Sequence, residues 1–313
     1  VAAAEAAWAS SAMTAVASAD LPGMWCARND SICPLLWWCG PQRWLLSTVA
    51  GVALLGATFV FFALCIYPLV EAAIERYPSS LPEETGRMWF AWHAQSVLHA
   101  VTVTTMAVTA VWHLASFSPS VQFDSPSSLY PSSLGHVALI GNGSHIFLCF
   151  LLVDTIVTYM RRAMTIDYLA HHVVFVCFTS LVQYECFAPQ LAGCLLLMEI
   201  STIFLNGFSF LRHRLGYGHW LVKTFFGLFA LSFLIVRMFG TTYITYMFVR
   251  EVFRGEVLFA GVGRVRLYFI CAALVAAVAI QVYWAYVITK KLLKVLGVGR
   301  GDHNGTESSE SAQ

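Results

Sequence analysis

Along this chain, apolar stretches of about twenty residues recur almost end to end, the length a helix needs to cross a hydrocarbon core at 1.5 Å per residue. Short clusters of Pro, Gly and charge punctuate them. The pattern predicts spans near Trp44 to Tyr67, stopped by Pro68; Trp89 to Ala115; His145 to Met160; and Tyr168 to Tyr184. Three more follow: Pro189 to Phe210, Trp220 to Val249 with Arg237 inside it, and Leu267 to Thr289. A membrane barrel would show alternating segments of about ten residues, which runs this continuous exclude. The expected fold is all-α, a polytopic helical membrane protein with about seven transmembrane helices. Its expected divisions are a tail (1–43), a first helix with its connection (44–88), a six-helix membrane domain (89–291) and a disordered tail (292–313).

Composition agrees, since 58% of the 313 residues are hydrophobic and 11% are charged, against the roughly 25% charge of a soluble domain. A net charge of +1 gives no reason to expect nucleic acid as a partner. Where the cations fall is more informative. With the C-terminus in the cytosol, that side collects Arg76, Arg87, Arg161, Arg162, Arg212, Arg214, Lys223, Lys290, Lys291, Lys294 and Arg300. The other side keeps Arg28, Arg43, Arg250, Arg254, Arg264 and Arg266. Eleven against six selects a luminal N-terminus and a cytosolic C-terminus by the positive-inside rule. The sequon Asn142-Gly143-Ser144 then ends a luminal loop. None of the nine cysteines has metal-ligand spacing; Cys26, Cys33 and Cys39 sit in the N-terminal tail, where a disulfide is open if that tail is luminal.

Ionisable groups inside the spans change the picture most, because each costs about 2.5 to 3.5 kcal/mol on insertion scales and defaults to function. Counting from the flanking cations places Asp154, His171, His93, Asn206 and Gln281 roughly 9 to 14 Å deep, on five different helices. Glu199, Arg237 and His99 lie deeper, at roughly 18 to 21 Å. Glu199, Thr202 and Asn206 share one helical face. Glu199 and Arg237, each costly alone, are expected to pair as a structural link. His171 and His172, about 100° apart around their helix, cannot face one point. One is expected to face a cavity and the other a neighbouring helix. His113, His136 and His145 read as ordinary interfacial residues.

At these positions the chain resembles the TLC-domain family, which includes ceramide synthases, the translocating-chain-associating membrane protein and smaller lipid-homeostasis proteins. The carriers are Asp154 in Val-Asp-Thr-Ile, the run Tyr168-Leu-Ala-His-His172, Met198-Glu-Ile-Ser-Thr-Ile-Phe-Leu-Asn206, and Lys223 followed by Phe233 to Arg237. The resemblance is closest to the small TLC-domain proteins. Where synthases carry His-Asp-x-Ser-Asp, this chain reads Met198-Glu199-Ile200-Ser201-Thr202, without either aspartate.

The resemblance implies a protein of the endoplasmic reticulum membrane acting in lipid homeostasis, with ceramide-synthase-like acyl transfer from acyl-CoA as its enzymatic form. On that reading His171, His172 and Asp154 are catalytic; His93, Asn206, Glu199, Thr202, Arg237 and Gln281 line the substrate site. Arg212, Arg214 and Lys223 hold a headgroup or the phosphates of CoA at the mouth. No metal or further cofactor is expected beyond acyl-CoA as co-substrate. The expected partners are membrane lipids, with a homo-oligomer left open. The alternative is a non-catalytic lipid binder or cargo escort. Haem ligation between His93 and the paired histidines is disfavoured by the company of Asp154 and Asn206.

Overall fold

The computed structural model describes residues 41–74, 81, 83–114, 134–185, 188–254 and 264–295. The three tail cysteines and the segments before residue 41 and after residue 295 lie outside the described residues, as does most of the connection after the first helix. Every regular element described is helical. They are α1 (Pro41–Phe61), α2 (Tyr67–Ala73), α3 (Glu83–Leu114), α4 (Leu134–Met160), α5 (Ile166–Glu185), α6 (Pro189–Leu196), α7 (Ile200–Leu215), α8 (Trp220–Ser232), α9 (Thr241–Arg254) and α10 (Arg264–Val295).

Six helical segments are long and apolar enough to cross a membrane: Leu45–Ala73, Thr85–His113, Gly135–Met160, Pro189–Leu215, Trp220–Arg254 and Arg264–Leu293. The seventh expected span is a shorter apolar helix, Ile166–Leu181, within α5. Asp167, His171 and His172 take three of the first seven positions of α5, which runs for 20 residues in all. The chain is thus a multi-pass helical membrane protein, with six helical segments long and apolar enough to span among the described residues.

Three helix boundaries differ from the sequence pattern for physical reasons. Pro68 does not end the first span; a wider π-turn at Phe62–Ile66 precedes it, and the proline falls at the start of α2, where its missing N–H costs little. The segment Pro189–Leu215 tightens to a 3₁₀ turn at Leu197–Glu199 between α6 and α7. The segment Trp220–Arg254 widens to π winding at Phe233–Gly240 between α8 and α9. A fourth difference concerns the sequon: Asn142, Gly143 and Ser144 lie inside α4, with Gly143 and Ser144 buried. It is not a loop acceptor, and its support for the orientation falls away.

Packing centres on α3 and α4, which touch each other along their length and between them receive α1, α5, α6 and α7. One apolar core joins Val103, Ala107, Ile140, Leu191, Phe248 and Ile270 toward the end of the bundle away from Arg161 and Arg212. A smaller one, built on Phe226, Phe229, Phe233, Ala285 and Ile288, joins α8 to α10. The polar groups lie between and beside these two cores, nearer the end carrying Arg161, Arg162, Arg212 and Lys290, called the basic end below.

Candidate functional site

The polar centre is built from α3, α4 and α5. Asp154 of α4 is 4% exposed, so in this setting its carboxylate needs partners. Three reach it. Trp92 of α3 donates its indole N–H to Oδ1; Tyr168 of α5 donates its hydroxyl to Oδ2 at 2.5 Å; and Nε2 of His172, one turn beyond Tyr168, stands 3.2 Å from the same oxygen. The other ring nitrogen of His172, Nδ1, lies 2.6 Å from Oγ1 of Thr155, the residue after Asp154. Both nitrogens of His172 are therefore engaged.

His171 differs. Its ring is only partly buried, its Nδ1 is enclosed without a hydrogen-bond partner, and it packs against Phe175 and against Trp284 of α10, with centroids 4.6 and 5.0 Å away. Trp284 in turn donates its N–H to Asp167 in the first turn of α5, at 2.9 Å. The two adjacent imidazoles thus face different neighbours, His172 the Asp154 carboxylate and His171 the last helix.

One turn along α3 from Trp92, Ser96 accepts from Nδ2 of Asn206 on α7 at 3.0 Å, and the same amide nitrogen donates to the Thr202 carbonyl at 2.8 Å. Helix α3 therefore bridges the Asp154 cluster to Asn206 through residues at i and i+4, which share a helix face. His93 points to a third group. Its Nδ1 lies 2.8 Å from the Trp89 carbonyl, and its ring packs tilted against Trp89 at 4.0 Å and edge-on to Trp92 at 4.6 Å. Arg161 covers Trp92 at 4.7 Å and His213 meets Trp89 at 5.0 Å.

Deeper in the bundle, Arg237 projects from the π segment and clamps the 3₁₀ turn. Its Nη2 donates to Glu199 at 3.0 Å and to the Thr202 hydroxyl at 2.7 Å; its Nε donates to the Ser201 hydroxyl at 2.7 Å and the Met198 carbonyl at 3.1 Å. The 3₁₀ winding leaves that carbonyl available, and the π winding turns Arg237 toward it. The pairing of Glu199 with Arg237 is as the sequence led us to expect.

Two further groups in this region are buried yet have no hydrogen-bond partner: both ring nitrogens of His99, whose ring is stacked on Phe150 at 4.0 Å, and both side-chain polar atoms of Gln281 on α10. At the mouth, Arg214 is bound to Glu71 of α2, Arg212 donates to the Tyr217 hydroxyl at 3.3 Å, and Lys223 is exposed. Among the described residues no group of three or more His, Cys, Asp or Glu is placed to hold a metal.

A small hollow with an empty volume of about 260 Å³ is lined by Ser144, Phe147, Phe175, Phe178, Thr179 and Leu195 among others. It is apolar and shares no residue with the Asp154 cluster, so it is not the polar pocket that the depth argument led us to expect.

Sequence reasoning missed Trp92, Ser96, Asp167 and Trp284, and gave no site role to Thr155, Tyr168 and Ser201, which the quoted motifs contain. Only the i, i+4 spacing of Trp92 to Ser96 and Tyr168 to His172 signalled them. His145 was read as interfacial; it is fully buried, with Nε2 3.1 Å from the Ser47 hydroxyl and Nδ1 3.1 Å from Oε1 of Gln183, tying α1, α4 and α5 together.

A family model described as TLC domain matches residues 89–290, which is the bundle from α3 to α10 and most of the chain. The chain belongs to the TLC-domain family. Comparison with curated proteins finds no match, and comparison with solved structures finds none either. The matched region of this TLC-domain protein holds Asp154, both adjacent histidines, Glu199, Asn206, Arg237 and Gln281, while α1 and α2 lie outside it.

Proposed function

We propose that this TLC-domain protein acts in membrane-lipid homeostasis by engaging the polar end of a bilayer lipid at His171. One observation carries the reading. Of the two neighbouring imidazoles, His172 is saturated by Asp154 and Thr155, while His171 is partly exposed and keeps an unpartnered nitrogen. The Asp154 network acts on His171 by fixing the helix turn that presents it. The same reading assigns the protein to the endoplasmic reticulum, with a luminal N-terminus and the basic end in the cytosol, supported by the distribution of cations along the sequence.

A second reading, acyl transfer, is favoured by the free Nδ1 of His171. That nitrogen would take the proton from a lipid amine or hydroxyl as its nitrogen or oxygen bonds to the acyl-CoA carbonyl, while the carbon–sulfur bond breaks and the thiol of CoA leaves with a proton. Arg161, which lies over the Trp92 ring, and Arg212 would then meet the CoA phosphates, in place of Arg214, which Glu71 holds.

The experiment is a single purification in lipid nanodiscs. Wild type, His171→Ala and His172→Ala proteins are analysed for co-purified lipid by mass spectrometry and for transfer from labelled acyl-CoA to sphingoid-base and glycerolipid acceptors. Bound lipid that His171→Ala loses, without transfer, supports the binding reading. A new acyl lipid that His171→Ala abolishes supports transfer. Neither lipid nor product in folded wild-type protein overturns both.

A further inference from the structure

Resting on the reading of His171 above, the geometry points to Trp284 as a gate over a headgroup position formed by His171 and Gln281, with Asp167 as its latch. Helices α5 and α10 run antiparallel, and the hydrogen bond from the Trp284 indole to Asp167 fixes their register at the basic end. Moving inward by one turn takes Asp167 to His171 on α5 and Trp284 to Gln281 on α10, since a turn is 3.6 residues. Both residues reached in this way carry polar atoms that are enclosed without hydrogen-bond partners: Nδ1 of His171, and Nε2 and Oε1 of Gln281.

Unpartnered buried polar groups are costly, roughly 1 to 3 kcal/mol each, so a pair of them at one level of one helix seam calls for a third party that bonds to both. Gln281 offers a donor and an acceptor, and His171 offers one nitrogen. A headgroup carrying its own donor and acceptor, such as an amide or a hydroxyl beside an amine, satisfies both. A quaternary ammonium does not.

Trp284 covers that position. Its ring lies 5.0 Å from that of His171, it packs on the Phe226 and Phe229 cluster, and its one polar side-chain atom is held by a partly exposed carboxylate. The latch is thus a single hydrogen bond near the basic end, where water competes for both partners. Outside the seam Leu169, Val173, Val282 and Tyr283 are exposed, so a lipid moving along α5 and α10 meets no barrier before Trp284.

The test measures exposure of His171 and needs no bound lipid or turnover, so it fails or succeeds separately from the functional reading. Protein in nanodiscs is treated with diethyl pyrocarbonate, and acylation of His171 and His172 is followed by peptide mass spectrometry. Trp284→Phe, which removes the N–H together with one ring of the indole, and Asp167→Ala, which leaves the indole whole, should each raise the His171 rate by at least about five-fold, the population change that one net hydrogen bond sets. Asp167→Asn, which keeps an acceptor, should stay near wild type. His172, bonded at both nitrogens, should react no faster in any of them.

An unchanged His171 rate in Trp284→Phe and Asp167→Ala overturns the gate. So does a parallel rise at His172, which would mean that the bundle loosens as a whole. The headgroup position is tested by Gln281→Leu: retention of co-purified lipid at the wild-type level overturns the assignment of Gln281.

Discussion

Asp154 and His172 meet at 3.2 Å across the α4–α5 hairpin, and both are almost fully enclosed by the bundle. The carboxylate takes two further donors, from Trp92 and Tyr168, so one side chain ties three helices together. Removing it leaves three donors facing nothing. Asp154→Ala should therefore destabilise the protein by about 3 to 5 kcal/mol, the range for breaking a buried pair. Tyr168→Phe, which removes one of the three donors, should cost about 1 kcal/mol. Thermal unfolding in detergent compares the two; equal losses would show that the three donors do not converge on one acceptor.

Glu199 and Arg237 invite a double-mutant cycle. Arg237→Met alone strands Glu199, and Glu199→Leu alone leaves the guanidinium with only the Ser201, Thr202 and Met198 acceptors. Each single change should cost several kcal/mol, and the double change less than their sum by about 1 kcal/mol or more. Additive losses measured by unfolding would remove the pair as the clamp between the two long segments.

For Asn206 the expected cost is small. Ser96→Ala takes away one inter-helix hydrogen bond and leaves the bond to the Thr202 carbonyl, so stability should fall by about 0.6 kcal/mol, the membrane average. A loss of co-purified lipid far beyond that change in unfolding midpoint would assign Asn206 to the ligand. Loss in proportion to stability would assign it to packing.

Gly207 on α7 faces the ring of Phe225 on α8 so closely that a Cβ there would lie 2.5 Å from two ring carbons. Gly207→Ala should destabilise the α7–α8 hairpin by about 1 to 3 kcal/mol through overpacking. Adding Phe225→Leu should recover much of that loss in the same unfolding assay. Failure of the second change to rescue would place the strain elsewhere.

Much of this architecture was written in the hydrophobic pattern, and the exceptions have local causes. The Glu199 and Arg237 pairing was legible because two opposite charges at one depth in hydrocarbon have few other partners. Pro68 misled because a proline reads as a stop, whereas a π-turn one step earlier carries the helix past it. Helix α5 was legible as an apolar helix because apolar residues flank His171 and His172 on both sides over its 20 residues. Trp92, Tyr168 and Trp284 escaped notice since an aromatic near a helix end usually marks the bilayer surface. What decides their role is the carboxylate each one reaches, on a helix at least 14 positions away in sequence, and no periodicity within one helix encodes that.

The widened winding at Phe233–Gly240 has an evolutionary reading. A helix that fits one extra residue into its circumference turns every side chain beyond that point by about 100° relative to an uninterrupted one. A shortened gene lacking a single codon there would still encode a segment able to traverse the bilayer, but its guanidinium would swing off Glu199 and the far third of the segment would present a different face to α10. The number of residues in this stretch therefore sets which side chain meets Glu199, whatever their chemical character.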